Sequence, residues 1–129
     1  MLGNALKVSH NSHVEGQKQT TFYFPKGQWC NVFNMYAFKE SCFEGGVNKT
    51  FGSDVYQFDV HLREGYIVPL QNASRYNVNT TADLQMNPVD LHIHPSCNSE
   101  HICTANGTLW NDDGEVLNYN GSHNRYWFN

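Results

Sequence analysis

The chain has 129 residues, enough for one ordinary domain or two small ones, and its 40% hydrophobic and 14% aromatic content lifts it clear of the disordered class. Its net charge is −4 with only eight Lys plus Arg and no basic run, which argues against a nucleic-acid partner, since such binding rests on clustered cations. No stretch approaches the roughly twenty apolar residues of a membrane helix, so no membrane span is expected.

Met1 to Gly16 has neither a basic nor an apolar signal-peptide region, so an export signal is expected outside this stretch. Thr20 to Phe24 is aromatic and β-prone, Pro25-Lys26-Gly27 turns the chain, and Gln28 to Phe33 reads as its hairpin partner. From Val55 to Leu62 the side chains alternate. Tyr56, Phe58, Val60 and Leu62 make a core face, and Gln57, Asp59 and His61 a polar one. Gly65 breaks the run before Tyr66-Ile67-Val68, and Pro69 ends that strand or marks an edge. Gln71 to Asn87 is polar, rich in Asn and Thr, and is the clearest boundary in the sequence.

Beyond it, Val89 to His94 alternates apolar and polar residues. Thr108 to Trp110 and Glu115 to Tyr119 flank Asn111-Asp112-Asp113-Gly114, where the Asp-Gly pair favours a primed hairpin turn. Arg125 to Phe128 reads as a last strand. No helical period longer than two turns is convincing, and no repeat or low-complexity tract occurs, so pattern alone gives an all-β chain.

Five Asn-x-Ser/Thr sequons, at Asn48, Asn72, Asn79, Asn106 and Asn120, lean toward the secretory route, although an Asn-rich chain yields some by chance. Cys30 and Cys42 enclose a short turn-rich stretch, as do Cys97 and Cys103. Two local disulfides are therefore the simplest of three connectivities. A secreted, lysosomal or cell-surface location follows from both features.

Four segments, in order, resemble glycoside hydrolase family 31, the α-glucosidase family. Met1-Leu2-Gly3-Asn4-Ala5-Leu6-Lys7-Val8-Ser9 is similar to the family's Gly-x-Ala/Ser-Leu-Leu-Val-x-Pro, with His10 where proline is usual. Tyr23 to Trp29 resembles the Tyr-x-Pro-x-Gly-x-Trp that opens the C-terminal sandwich, and Cys30-Asn31 stand where the family has Tyr-Asp. Leu62 to Pro69 resembles Arg-Gly-Gly-x-Ile-x-Pro, with Glu64 for a glycine. Ala105 to Glu115 resembles Ala-x-Gly-x-Leu-x-x-Asp-Asp-Gly-Glu.

The resemblance implies an antiparallel β-sandwich followed by the start of a second small β domain. Residues 1–16 would be the tail of a catalytic barrel, 17–86 the proximal sandwich and 87–129 the beginning of the distal domain. The family's two catalytic aspartates lie on the barrel, before the matched stretch, so the parent resembles a retaining α-glucosidase while this stretch carries no catalytic residue. The implied partner is the barrel of the same or a companion chain; carbohydrate is a second candidate partner, and no cofactor is expected.

The residues themselves support that assignment of roles. A retaining pair needs carboxyl groups about 5 Å apart with one held protonated. Asp112 and Asp113 are adjacent, diverge from one another and, with Gly114, read as turn formers; a calcium-assisted turn is the lesser alternative. His92 and His94 share a strand face near Cys97, His101 and Cys103, but the spacing fits no zinc motif, so no metal is assigned. His10, His13, His61 and His123 read as polar-face or loop residues. Arg63 at a strand end has the fork of donors to hold carbonyls or a carboxylate at an interdomain joint, with Gly65 permitting close backbone approach. Trp29, Tyr66 and Trp110 read first as sandwich core and second as sugar-stacking or barrel-facing aromatics. Two functions follow: a non-catalytic C-terminal portion of a secreted α-glucosidase-like hydrolase, or a free-standing secreted or surface glycoprotein module with a structural or carbohydrate-binding role.

Overall fold

The computed structural model describes residues 1–10, 19–34, 41–52, 58–74, 78–112 and 123–129. They form two compact units, Met1–Glu64 and Gly65–Asn129. Among the described residues all strand pairings are antiparallel, apart from one isolated parallel bridge, and the only α-helix is five residues long. The fold is all-β. No described helix is long and apolar enough to cross a membrane.

In the first unit, β1 (Leu6–His10), β6 (Phe58–Arg63), β3 (Gln28–Asn31) and β4 (Cys42–Glu44) make a sheet in the order β1-β6-β3-β4. β2 (Gln19–Phe24) and β5 (Val47–Gly52) pair separately. An aromatic layer joins the two sheets. Phe24 of β2, with no exposed surface, meets Trp29, Phe43, Phe51 and His61 at centroid distances of 5.5, 4.9, 5.8 and 5.1 Å. Three of these contacts are edge-on, the geometry that ring quadrupoles favour. Lys7 and Lys49 close the layer, their Nζ atoms 5.0 Å from the Phe24 ring and 4.9 Å from the Phe43 ring.

The first unit departs from the sequence pattern at two places. β2 and β3 are not hairpin partners: β2 pairs with β5, whereas β3 lies between β4 and β6. The turn's backbone is already engaged, because Gly45 and Gly46 N–H groups donate to the carbonyls of Gly27 and Phe24, both at 2.8 Å, so the chain crosses from one sheet to the other. His61 is not a solvated polar-face residue. It is 2% exposed, and its neighbour Leu62 is fully buried, so both faces of β6 are covered toward its C-terminal end and alternation there does not separate core from solvent.

In the second unit, β7 (Tyr66–Leu70) pairs with β8 (Asp90–His94), the ladder continuing through Pro69 opposite Leu91. This pairing spans the polar stretch that composition marks as a boundary. Tyr66 also bridges Asn106, beside β11 (Gly107–Asp112). β9 (Ser96–Cys97) and β10 (Cys103–Thr104) form a small ladder. α1 (Thr81–Gln85) starts at a capping box: the Thr80 hydroxyl accepts from Asp83 N–H and the Asp83 carboxylate from Thr80 N–H.

The partner of β11 is β12 (His123–Phe128), with Asp112 opposite His123. Asn111 and Asp112, read as turn residues, are the final residues of β11. Asp113, Gly114 and 115–119 lie outside the described residues.

Candidate functional site

Two of the sequence motifs meet in space although they lie far apart in the chain. Arg63, the last residue of β6, stands opposite Trp29 in the ladder with β3. Its Nη2 donates to the Lys26 carbonyl at 2.8 Å, and its guanidinium carbon lies 5.8 Å from the Trp29 ring. Glu64, the residue that replaces a motif glycine, accepts from the Gln28 N–H through Oε1 at 3.0 Å, and its own N–H donates to the Gln28 carbonyl at 2.9 Å. From beneath, the buried Trp29 donates Nε1–H to the Pro25 carbonyl at 2.8 Å.

The Pro25-Lys26-Gly27 turn is thus held by Arg63, Glu64, Trp29 and Gly45 together. Gly45 is irreplaceable on space alone, since a Cβ there would run into the Pro25 carbonyl oxygen and come within 2.8 Å of Gly27 O and Trp29 Nε1. The clamp contains no nucleophile with an adjacent base. Its chemistry is mechanical: it fixes the β2–β3 turn to the end of β6.

Gly65 follows with φ of 80°, the left-handed region that favours glycine. Its N–H donates to His94 O at 2.7 Å and its carbonyl accepts from Asn106 N–H at 3.0 Å. Tyr66 is half-buried opposite His94. Trp110 is 48% exposed, so of the three aromatics singled out in the sequence only Trp29 is fully buried.

Both disulfides, Cys30–Cys42 and Cys97–Cys103, join residues directly opposite one another in antiparallel ladders. Asn48 is exposed near the start of β5, and its sequon threonine Thr50 hydrogen-bonds Thr21 across the strand pair. The Asn72 side-chain oxygen accepts from Ser74 N–H and Oγ–H at 3.0 and 2.7 Å. Asn79 precedes the α1 cap, Asn106 is exposed beside β11, and Asn120 lies outside the described residues. His92 and His94 lie on β8 with His94 buried; among the described residues no three His, Cys, Asp or Glu side chains are grouped to hold a metal.

Sequence reasoning missed the site's most perturbed group. His61 stands against Phe24, Phe43 and Phe51, with ring centroids 5.1 to 5.5 Å away, and burial pushes its imidazole down from 6.5 to about 4. Asp59 opposes that shift and Lys7 adds to it. The available signal was the β-period itself, which puts His61 two residues from Arg63 on one side of β6. Asp83, by contrast, is held below its usual range by hydrogen bonds from Asn79 and Thr80 at the helix cap.

The relatives of this sequence agree on one kind of protein. Mouse lysosomal alpha-glucosidase is 32% identical over 116 residues, covering 79% of this chain and 11% of the relative. Glucoamylase 1 of Candida albicans is 29% identical over 102 residues, 79% of this chain and 10% of its own length. Among solved structures, a GH31 dextranase of Flavobacterium johnsoniae complexed with isomaltotriose superposes with a TM-score of 0.71 over 93% of this chain and 13% of its own, at 22% identity, a likeness of fold. No protein-family model matches the chain. An all-β chain of this pattern, with these relatives, is a homologue of glycoside hydrolase family 31, the α-glucosidase family. It spans about a tenth of the length of the curated relatives it matches.

Proposed function

We propose that the chain is the non-catalytic C-terminal portion of a secreted α-glucosidase-like hydrolase and that it supports a catalytic barrel which hydrolyses O-glycosyl bonds. On this reading the first unit, Met1–Glu64, is the proximal sandwich and the second, Gly65–Asn129, is the start of the distal domain. The Arg63–Glu64 clamp keeps the sandwich rigid where it carries the load. Passage through the secretory pathway, with glycans on the exposed sequons, accords with two disulfides, which persist in oxidising compartments.

The observation that carries the proposal is an apolar strip on the outer side of the first unit. Phe58 is 52% exposed at the start of β6, opposite His10, and packs edge-on against Phe33, itself 63% exposed, at 6.0 Å. Val8, next along β1 on that face, is also exposed. Large apolar side chains grouped in this way mark contact surfaces. The barrel of the same or a companion chain is the partner proposed for it.

Two assays test this. The purified chain is expected to release no glucose from maltose or a chromogenic α-glucoside above buffer, and saturable hydrolysis would refute the non-catalytic role. Added to a relative's barrel truncated at the corresponding point, it is expected to raise the barrel's thermal midpoint, and Phe58→Asp is expected to abolish that gain without unfolding the sandwich. The second reading, a free-standing glycoprotein module, is favoured if the chain leaves the barrel's midpoint unchanged.

A further inference from the structure

We infer that the second unit carries a binding site for a neutral sugar ring, in the cleft between the exit of β7, the chain after α1 and the β11–β12 pair. The cleft has a volume of about 340 Å³, within the ~300–1,000 Å³ range of small-molecule sites. Pro69, Gln71, Gln85, Asn87, Asn111 and Tyr126 line it, with two aliphatic residues and Trp110.

The chemistry of that lining selects the ligand class. None of the lining residues is acidic or basic, so the site offers no counter-charge to a phosphate, a carboxylate or an amine. Its polar lining is made of side-chain amides instead, those of Gln71, Gln85, Asn87 and Asn111. Each amide has a donor arm and an acceptor arm, the pairing that vicinal hydroxyls satisfy. Gln71 is held in place by its donor arm, since Nε2 donates to the carbonyls of Leu84 and Asn87, both at 3.0 Å, leaving Oε1 as its acceptor arm. Asn87, which also lines the cleft, has its Nδ2 buried without a hydrogen-bond partner, an unsatisfied donor at the cleft wall.

The aromatic component is Tyr126, 47% exposed. Its ladder partner is Leu109, so the two share one face of the pair, while Trp127 belongs to the opposite face, where Arg125 stacks on it at 4.1 Å. A half-exposed ring beside amides suits a pyranose, which has an apolar C–H face and a rim of hydroxyls. This site stands apart from barrel support: a chain that grips no barrel can still bind sugar, and the converse also holds.

The test uses the full 129-residue chain in native gels containing glycogen or dextran, followed by calorimetric titration with maltotriose and isomaltotriose. Retardation by at least one glucan is expected. Tyr126→Ala should weaken the affinity roughly tenfold, as expected for one stacked ring, and Trp127→Ala should leave it unchanged. Asn111→Ala supplies the same loss if Tyr126→Ala does not fold, with near-UV circular dichroism as the folding check. No retardation in either glucan together with no heat from either trisaccharide would overturn the inference. So would loss in Trp127→Ala with retention in Tyr126→Ala, or preferential binding to polygalacturonate, an acidic polymer.

Discussion

Phe24 and His61 come from different sheets and meet edge to face, 5.1 Å between ring centroids and 80° between planes. An imidazole held in such a place is selected for its neutral form. The folded value of about 4 lies below the ordinary 6.5, so the stabilisation is complete above pH 6.5 and is lost as pH falls toward 4. From pH 7 to 4 the loss should approach about 3 kcal/mol. Urea titrations of the chain and of His61→Phe across that range give the difference directly. The gap between the two should shift in favour of the variant by about 2–3 kcal/mol on acidification; parallel pH profiles would show that His61 does not report its burial.

Arg63 acts through its fork as well as its charge. Arg63→Lys keeps the charge and loses the planar contact with Trp29 and the directed bond to Lys26 O, so it should cost about 1–2 kcal/mol in urea unfolding, nearly as much as Arg63→Ala. A silent Arg63→Lys would reduce the clamp to simple electrostatics.

Gly45 and Gly52 make an internal comparison. A methyl at Gly45 meets three fixed atoms of the clamp, whereas among the described residues nothing lies within 4 Å of one at Gly52. Gly45→Ala should cost more than about 3 kcal/mol or prevent folding, and Gly52→Ala should stay within about 0.5 kcal/mol of the parent by thermal melting.

The two disulfides close loops of different length, with separations of 12 and 6 residues. On the chain-entropy relation, replacing Cys30 and Cys42 by serine should cost about 3 kcal/mol, and replacing Cys97 and Cys103 nearer 2 kcal/mol. Burial of Cys30, 4% exposed, adds to the first figure and not to the second. Differential scanning calorimetry of the two double variants would reveal the order.

Local pattern carried much of the architecture. The aromatic run ending at Phe24 is β2, the alternation ending at Leu62 is β6, and the run after Gly65 is β7. Partner choice was less legible. β5 reads Val-Asn-Lys-Thr-Phe-Gly, which looks like loop composition, and it is the partner of β2 because Phe51 stacks on Phe22 and Phe24 from across the ladder. The turn at Pro25 suggested a hairpin because local signals cannot record that its carbonyls belong to Gly45, Gly46, Trp29 and Arg63, residues fixed only by tertiary packing. His61 was misread for the same reason: period two sorts the faces of a strand, and only the second sheet tells which face is covered. Arg63, read as a donor fork at an interdomain joint, holds a carbonyl inside the first unit, that of Lys26, whereas Glu64 looked like a lost glycine and is a hydrogen-bonding member of the clamp.

The central claim, that this β structure serves a larger glycosidase, is tested most directly by the intact mass of the protein from its native source, with and without deglycosylation and reduction. The account predicts a polypeptide several times the 14.8 kDa of this chain, with an N-linked mass loss on deglycosylation. A species near 14.8 kDa plus glycans would contradict it and would leave the free-standing module as the function.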